Sequence, residues 1–312
     1  MIRDPIQILC IGGAVLDRTL NCTHGCKPGV SNPVTSARSF GGVARNVAES
    51  LARLGARVDF VSAVGDDAAG RELKQHLSLA GADTQALLVT SDHPTAEYIA
   101  AFHTGEMRVA FADMGIFDYL TPERIAPAIA NLPPGSILFA DCNLPAASLA
   151  MLCERGQAKK FLLAIDGVSP AKFERLPSSL EGVTLLFVNS AQAMHAAGTR
   201  SAAKALLQLL DRGCHCVVMT SGRQGLTLSS GGESLTYQAP NVPIVNVSGA
   251  GDAIVAGTLF GLSERRPPPV AVSIGLGLAA LVLQSPNTVP AGLTRTVLEL
   301  AMRQQKDPDR VH

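Results

Sequence analysis

Apolar positions along this chain switch repeatedly between a short continuous run and a helical spacing. Ile8–Ile11 is a short apolar strand. Val43, Val47, Leu51 and Leu54 then recur at helical spacing, and Gly55 closes that helix. Val58–Val64 reads as the next strand, and Leu73, Leu77 and Ala80 mark a helix ended by Gly81. The rhythm then breaks. Glu97–Phe102 and Met107–Ala112 are extended runs joined by His103-Thr104-Gly105-Glu106, which predicts a β-hairpin standing off the main sheet. Thr121-Pro122-Glu123 restarts the alternation with a helix cap, a proline and an acid in order. Strands are predicted at Ile137–Ala140, Phe161–Ile165, Leu185–Val188 and Cys216–Thr220. Helices follow at Ser201–Leu210, Ala253–Leu262, Val270–Leu283 and Leu293–Met302, and the polar tail from Gln304 is expected to fray. Repeated strand–helix units imply an α/β fold, a mostly parallel sheet with helices on both faces.

Composition narrows the class. The chain has 312 residues, 47% hydrophobic and 17% charged, enough for a large buried core. Lys+Arg and Asp+Glu are equal at 26 each, so no charge excess draws it to nucleic acid or an anionic membrane. The longest greasy stretch, Ile274 to Leu283, is too short to span a bilayer. Met1-Ile2-Arg3-Asp4-Pro5 does not read as a signal peptide. Cysteines number seven, most in apolar surroundings, which fits free thiols in a reducing cytoplasm. Cys22 and Cys26 flank His24, but no second ligand pair at finger-like spacing completes a zinc site. Cys214-His215-Cys216 reads as buried strand, with both thiols on one side.

In parallel α/β sheets, ligands bind at the carboxyl ends of the strands. That rim collects Asp17, Asp141, Asn143, Asp166, Asn189, Thr220 and Gly222. Asn246-Val247-Ser248-Gly249-Ala250-Gly251-Asp252-Ala253 precedes an apolar helical run. Its small residues leave backbone N–H groups bare at a helix N-terminus, where anions bind. Two readings fit: a glycine-rich helix start carrying an N-terminal charge, or an anion cradle whose Asp252 takes a proton from an attacking hydroxyl. Phe40-Gly41-Gly42-Val43-Ala44-Arg45-Asn46 opens the first long helix, with Asn46 either solvent-exposed or bonding a hydroxyl. Gly12-Gly13 lacks the G-x-G-x-x-G spacing, which argues against a nicotinamide enzyme.

These motifs resemble the ribokinase, or PfkB, family of sugar and nucleoside kinases. Gly41-Gly42-Val43-Ala44-Arg45-Asn46-Val47-Ala48 with Leu54-Gly55 is similar to the family's N-terminal signature. Val247-Ser248-Gly249-Ala250-Gly251-Asp252-Ala253 with Gly257 is similar to its C-terminal signature, and Val64-Gly65-Asp66-Asp67 with Gly70 is also family-like. Within the family, Thr104-Gly105-Glu106-Met107, Asp113-Met114, Ala140-Asp141-Cys142-Asn143 and Asn246-Val247-Ser248 resemble the bacterial pseudouridine kinases most. The resemblance implies a single ribokinase-like α/β domain over 1–312, with a small β lid from about 13–40 and 92–115. It implies ATP and Mg2+ as cofactors and a nucleoside or sugar as acceptor: the 5′-hydroxyl of pseudouridine, or alternatively ribose, adenosine or a uridine-like substrate. Lids in this family often pair between subunits, which implies a homodimer.

Roles follow residue by residue. Asp252 would be the base, with Gly249, Ala250 and Gly251 holding the transferred phosphoryl oxygens. Asp17, Gly41, Gly42 and Asn46 would grip the ribose, and Asp113, Glu106 and Asn143 are candidates to read the base. Asn189, Thr220, Gly222 and Gly225 would line the nucleotide. No residue binds metal directly; Asn189 and Gln192 would reach it through water. Three departures stand out. Gln192 replaces the family's glutamate near magnesium, Asn246 replaces an aspartate that puts K+ activation in question, and Val15 replaces a polar sugar contact. A ligand-binding protein with impaired turnover is the remaining alternative, and the retained Asp252 speaks against it.

Overall fold

The computed structural model describes residues 6–158 and 160–306. Met1–Pro5 and the tail beyond Lys306 lie outside the described residues.

The chain opens with β1 (Ile8–Ile11), wholly buried, then β2 (Val15–Cys22) and β3 (Val34–Gly41). α1 (Val43–Arg53) follows, then β4 (Val58–Val61) and β5 (Ala63–Gly65). The single strand expected over Val58–Val64 is thus two. β4 stays in the main sheet, while β5 pairs with β6 (Leu88–Thr90) after α2 (Ala68–Ala80). The expected hairpin is β7 (Glu97–His103) and β8 (Glu106–Asp113), turned by Thr104 and Gly105, both at positive φ. β7 runs parallel to β2, so a four-stranded sheet in the order β3-β2-β7-β8 stands apart from the main one.

Alternation then resumes with α3 (Pro122–Ala130), β9 (Ile137–Asp141), α4 (Ala146–Gln157), β10 (Leu162–Asp166) and the short α5 (Pro170–Phe173). β11 (Leu185–Asn189), α6 (Ser190–Ala196), α7 (Ala202–Asp211) and β12 (Cys216–Thr220) come next. A hairpin that periodicity did not reveal, β13 (Leu226–Ser230) with β14 (Glu233–Tyr237), adds an antiparallel edge. α8 (Ala250–Ser263), α9 (Pro268–Leu283) and α10 (Arg295–Lys306) close the fold. The main sheet runs β14-β13-β12-β11-β10-β9-β1-β4, parallel from β12 to β4. Its two faces carry separate cores. One packs Val47, Leu51, Phe60 and Phe139 with Val255, Leu259 and Val272; the other packs Leu9, Ile11, Leu138 and Leu163 with Leu149, Leu152 and Leu206. Two apolar faces explain why its strands read as continuous apolar runs rather than alternating ones.

α8 and α9 are apolar nearly all round, as helices packed deep in a core must be. None of the described helices is long and apolar enough to cross a membrane. The cysteine expectation needs correction. Cys22 and Cys26 form a disulfide, because β2 ends at Cys22 and the chain bends back to bring their Cα atoms within 5.8 Å. Cys10, Cys142, Cys153, Cys214 and Cys216 are free and buried. Cys214 precedes its strand rather than lying in it, and its thiol donates to the Cys216 carbonyl at 3.1 Å.

Candidate active site

The carboxyl ends of β1, β9 and β10 meet the starts of α1 and α8. Asp141, the last residue of β9, is fully buried, and its carboxylate ties this junction together. It accepts from Gly13 N–H at 3.0 Å, Ala44 N–H at 2.8 Å and Asn143 N–H at 2.9 Å. The Ala44 bond satisfies an N–H of the first turn of α1, which no residue next to that helix caps. Gly12 and Gly13 now have a reason unrelated to nucleotide binding. A Cβ on Gly12 would collide with the Asp141 carboxylate, and one on Gly13 would come within 2.6 Å of the Asn143 amide. Gly41 is bare for the same kind of reason, since its Cβ would strike the carboxylate of Asp17. Gly42, at φ 96°, packs directly on the Gly13 backbone.

Asn46, on the first turn of α1, donates its amide to Asp252 Oδ2 at 2.7 Å, across 206 residues of sequence. That bond joins the two signature motifs. Asp252 lies on the first turn of α8, whose N-cap, Gly249, sits at φ 84°. Any other residue there would be strained, and its Cβ would lie 2.6 Å from the Thr288 carbonyl. Gly251 is exposed, and a Cβ built on it meets nothing within 4 Å. The α8 start therefore has open space beside Gly251, and Ala250 N–H is drawn to Val247 O at 3.4 Å.

Carboxylates crowd this point. The fold brings Asp141, Asp166 and Asp17, all expected on the same rim, close to Asp252. Burial, with the Asp141 charge adding to it, raises Asp252 to about 6, while the Asn46 bond and Arg45 pull the other way. Asp166, which ends β10, is pushed up to about 8 by burial and then by Asp252 and Asp141. Asp17 is raised to about 6 by burial, against the pull of Arg45. Burial also raises Asp141, opposed by its three backbone donors. An aspartate held near 6 is a far better proton acceptor at neutral pH than one near its ordinary value of about 3.9.

Two cavities flank the α8 start. One, of about 840 Å³, lies between the small sheet, α1 and the 286–291 loop; Asp17, Phe40, Arg45, Tyr98, Phe102 and Ser248 help to line it. The other, of about 540 Å³, is lined by Thr220, Gly222, Gly225, Ala250 and Gly251 together with Ile254, Leu276 and Ala279. Thr220, Gly222 and Gly225 thus share one cavity with Ala250 and Gly251, and Asp17 lies in the other, while Asn189, Gly41, Gly42 and Asn46 line neither. Gly225 must be bare for the fold itself, because a Cβ would run into Tyr237 O.

Other expected residues sit differently. Asn143 is buried; its side-chain oxygen accepts from Lys172 Nζ, and its carbonyl accepts from Arg175 at 2.8 Å. Asp113 is exposed at the end of β8 and lines neither cavity, and Glu106 is exposed beside Arg108. Asn189 and Gln192 form a reciprocal capping box on α6, each side-chain oxygen accepting the other's backbone N–H at 2.8 Å. A glutamine fills that role as well as a glutamate, so the departure at Gln192 leaves the helix start intact. Arg45, Glu49 and Lys172 were not singled out from the sequence. A charged pair at i, i+4 ordinarily marks a solvated helix face, whereas here Arg45 and Glu49 are 3% and 2% exposed.

A helix start beside two cavities, with a carboxylate in its first turn, suits phosphoryl transfer to an alcohol. The comparisons agree. Residues 6–294 match the model of the pfkB family carbohydrate kinases, and the chain belongs to that family. It is 27% identical to the pseudouridine kinase of Escherichia coli K12 over 294 residues, covering 92% of this chain and 93% of that one. Among solved structures, a carbohydrate kinase from Agrobacterium tumefaciens superposes with a TM-score of 0.83 at 29% identity, over 96% of this chain and 97% of that one. The aminoimidazole riboside kinase of Salmonella enterica, complexed with aminoimidazole riboside and an ATP analogue, gives 0.75 at 22% identity, over 95% and 99%. The protein is a sugar or nucleoside kinase with a ribokinase-type fold.

Proposed function

We propose that this kinase transfers the γ-phosphoryl group of ATP to the 5′-hydroxyl of pseudouridine. The observation that carries the reading is Asp252 on the first turn of α8, bonded to Asn46 and directly following Ser248, which lines one cavity, and Ala250 and Gly251, which line the other. ATP would occupy the cavity lined by Thr220, Gly222 and Gly225, and the acceptor the cavity lined by Asp17. About 840 Å³ is generous for a free pentose, and Phe40, Tyr98 and Phe102 offer apolar surface for a planar base. The likeness to a pseudouridine kinase over nine-tenths of both chains supports the same substrate.

In this reading Asp17 and Asn46 hold the ribose so that its 5′-hydroxyl faces Asp252. Asp252 accepts the hydroxyl proton as the oxygen attacks, and the α8 N–H groups hold the charge on the phosphoryl oxygens. The small sheet acts as a lid that keeps water from the phosphoryl group. Among the described residues no cluster of three or more His, Cys, Asp or Glu could hold a metal. The mutual repulsion of Asp141, Asp166 and Asp252 nevertheless fits a site that receives a cation with its ligand. Magnesium carried on the ATP phosphates would neutralise their charge, with Asn189 and Gln192 reaching it through water. A potassium site fits less well. Asn246 accepts from Ser248 N–H and gives its amide to Pro286 O at 3.1 Å, so a hydrogen-bond donor stands where a cation needs an oxygen.

A coupled assay of ADP release with Mg–ATP tests the substrate. Pseudouridine is expected to give the highest kcat/KM among pseudouridine, uridine, adenosine and ribose. A preference for uridine removes the assignment, and no turnover with any of the four favours a binding protein.

A homodimer through the lid is part of the same reading. The register puts Ile99, Val109 and Phe111 on the sheet face opposite Tyr98, Ala100 and Phe102, and Phe111 is 63% exposed. Phe111→Arg is expected to yield monomer by light scattering; an unchanged mass places the interface elsewhere.

A further inference from the structure

Asn46 could present either end of its amide to Asp252, and only one end is useful. With its oxygen turned inward, it would repel the carboxylate. The surroundings choose the other orientation. Arg45 is buried on the same helix, and its Nη1 donates to Asn46 Oδ1 and to the Phe40 carbonyl, each at 2.8 Å. Its Nη2 is engaged by Glu49, one turn on. Glu49 is buried too, and is held in turn by Arg53 Nε at 2.8 Å and by His76 Nε2 at 3.1 Å. Burial alone would raise the Glu49 pKa; Arg45, Arg53 and His76 together hold it below its ordinary value, so it stays an anion. One unbroken line of bonds therefore runs from Glu49 through Arg45 and Asn46 to Asp252.

We propose that Arg45 is a positioning residue for phosphoryl transfer: anchored by Glu49, it locks the Asn46 oxygen so that the amide N–H must face Asp252. This rests on Asp252 being the base. The planar guanidinium is suited to the task, since it reaches Glu49, Asn46 and Phe40 O with separate donors in a fixed fork. A lysine keeps the charge beside Glu49 but lacks that fork. The bond that Asn46 gives favours the ionised carboxylate. The other charged groups around Asp252 are Asp17 on β2, Asp141 on β9, Asp166 on β10 and Arg45 itself.

The test compares Arg45→Lys with Glu49→Gln, using Mg–ATP and pseudouridine, or ribose if pseudouridine is inert. Arg45→Lys is expected to lower kcat by about 10-fold or more with KM for ATP unchanged. It should also move the acid limb of the kcat profile up by about one pH unit, the size expected for a lost charge-assisted hydrogen bond. Glu49→Gln leaves Arg45 on Asn46 and should cost more in melting temperature, yet move the limb less. If the two variants instead lose activity in proportion to their stability, or Arg45→Lys keeps the wild-type limb, Arg45 is only structural and the proposal fails. A readout independent of turnover is the Asn46 side-chain amide in 15N-asparagine-labelled protein. Its resonance should titrate with Asp252 in the wild type and lose that response in Arg45→Lys; an unaltered response also overturns the proposal. Asp252→Asn measured alongside separates the two failures, because normal turnover in that variant removes the base assignment whatever Arg45 does.

Discussion

Asp252→Asn is expected to cut turnover by about 10²–10⁴-fold, the range for a positioned acid–base group, while ATP still binds. Asparagine keeps the shape and can still accept from Asn46, but it cannot take a proton. Wild-type turnover should fall as pH drops below about 6, since protonating Asp252 disables it. That limb belongs jointly to Asp17, Asp141, Asp166 and Asp252, which titrate as a coupled set. The same substitution should make the protein more stable. Asp166 is held at about 8 in the fold, against about 3.9 for an unfolded aspartate, so the fold loses stability as pH climbs through that window. Removing the Asp252 charge relieves part of that rise. The melting temperature of Asp252→Asn should therefore exceed wild type at pH 8 and match it near pH 4. Calorimetry at the two pH values and isothermal titration with ATP check these outcomes. A near-normal rate removes Asp252 from the chemistry.

Gly251→Ala separates stability from function in the opposite sense to most glycine substitutions. Gly251 lies in the first turn of α8 with helical backbone and open space on its Cβ side. Alanine there should stabilise the helix by up to about 1 kcal/mol. Yet the added methyl stands in the open space that the proposed mechanism gives to the phosphoryl group. Turnover is expected to fall by about 10²-fold, comparable to losing one oxyanion donor, as the melting temperature holds or rises. An alanine variant that is both more stable and fully active would show that the phosphoryl group sits elsewhere.

The parallel part of the main sheet was legible because its strands are largely buried on both faces and α1 carries an apolar stripe at Val43, Val47 and Leu51, while α8 and α9 are apolar nearly all round. The small sheet was less so. β3 is exposed along most of its length, so Thr35, Ser36, Arg38 and Ser39 give no alternation to read, and β14 is exposed in the same way. The signature residues were legible as types at fixed spacing. What spacing could not supply was the contact between Asn46 and Asp252, made through the packing of α1 on α8. Burial of Arg45 and Glu49 has the same origin: α1 is enclosed by the sheet on one side and by α8 on another, so its polar positions are covered along with its apolar ones. The Cys22–Cys26 bridge depends on a bend after β2 that no periodic pattern announces.

Gly12 and Asp141 lie far apart in sequence, yet they share one volume: the room the glycine leaves empty is the room the carboxylate fills. Neither position can drift alone. A larger residue at 12 evicts the acid that holds the β1 end, the α1 start and the Asn143 turn together, and a smaller one at 141 leaves those N–H groups without a partner. Across relatives of this chain the two positions should behave as a single inherited character, with changes at one matched by changes at the other.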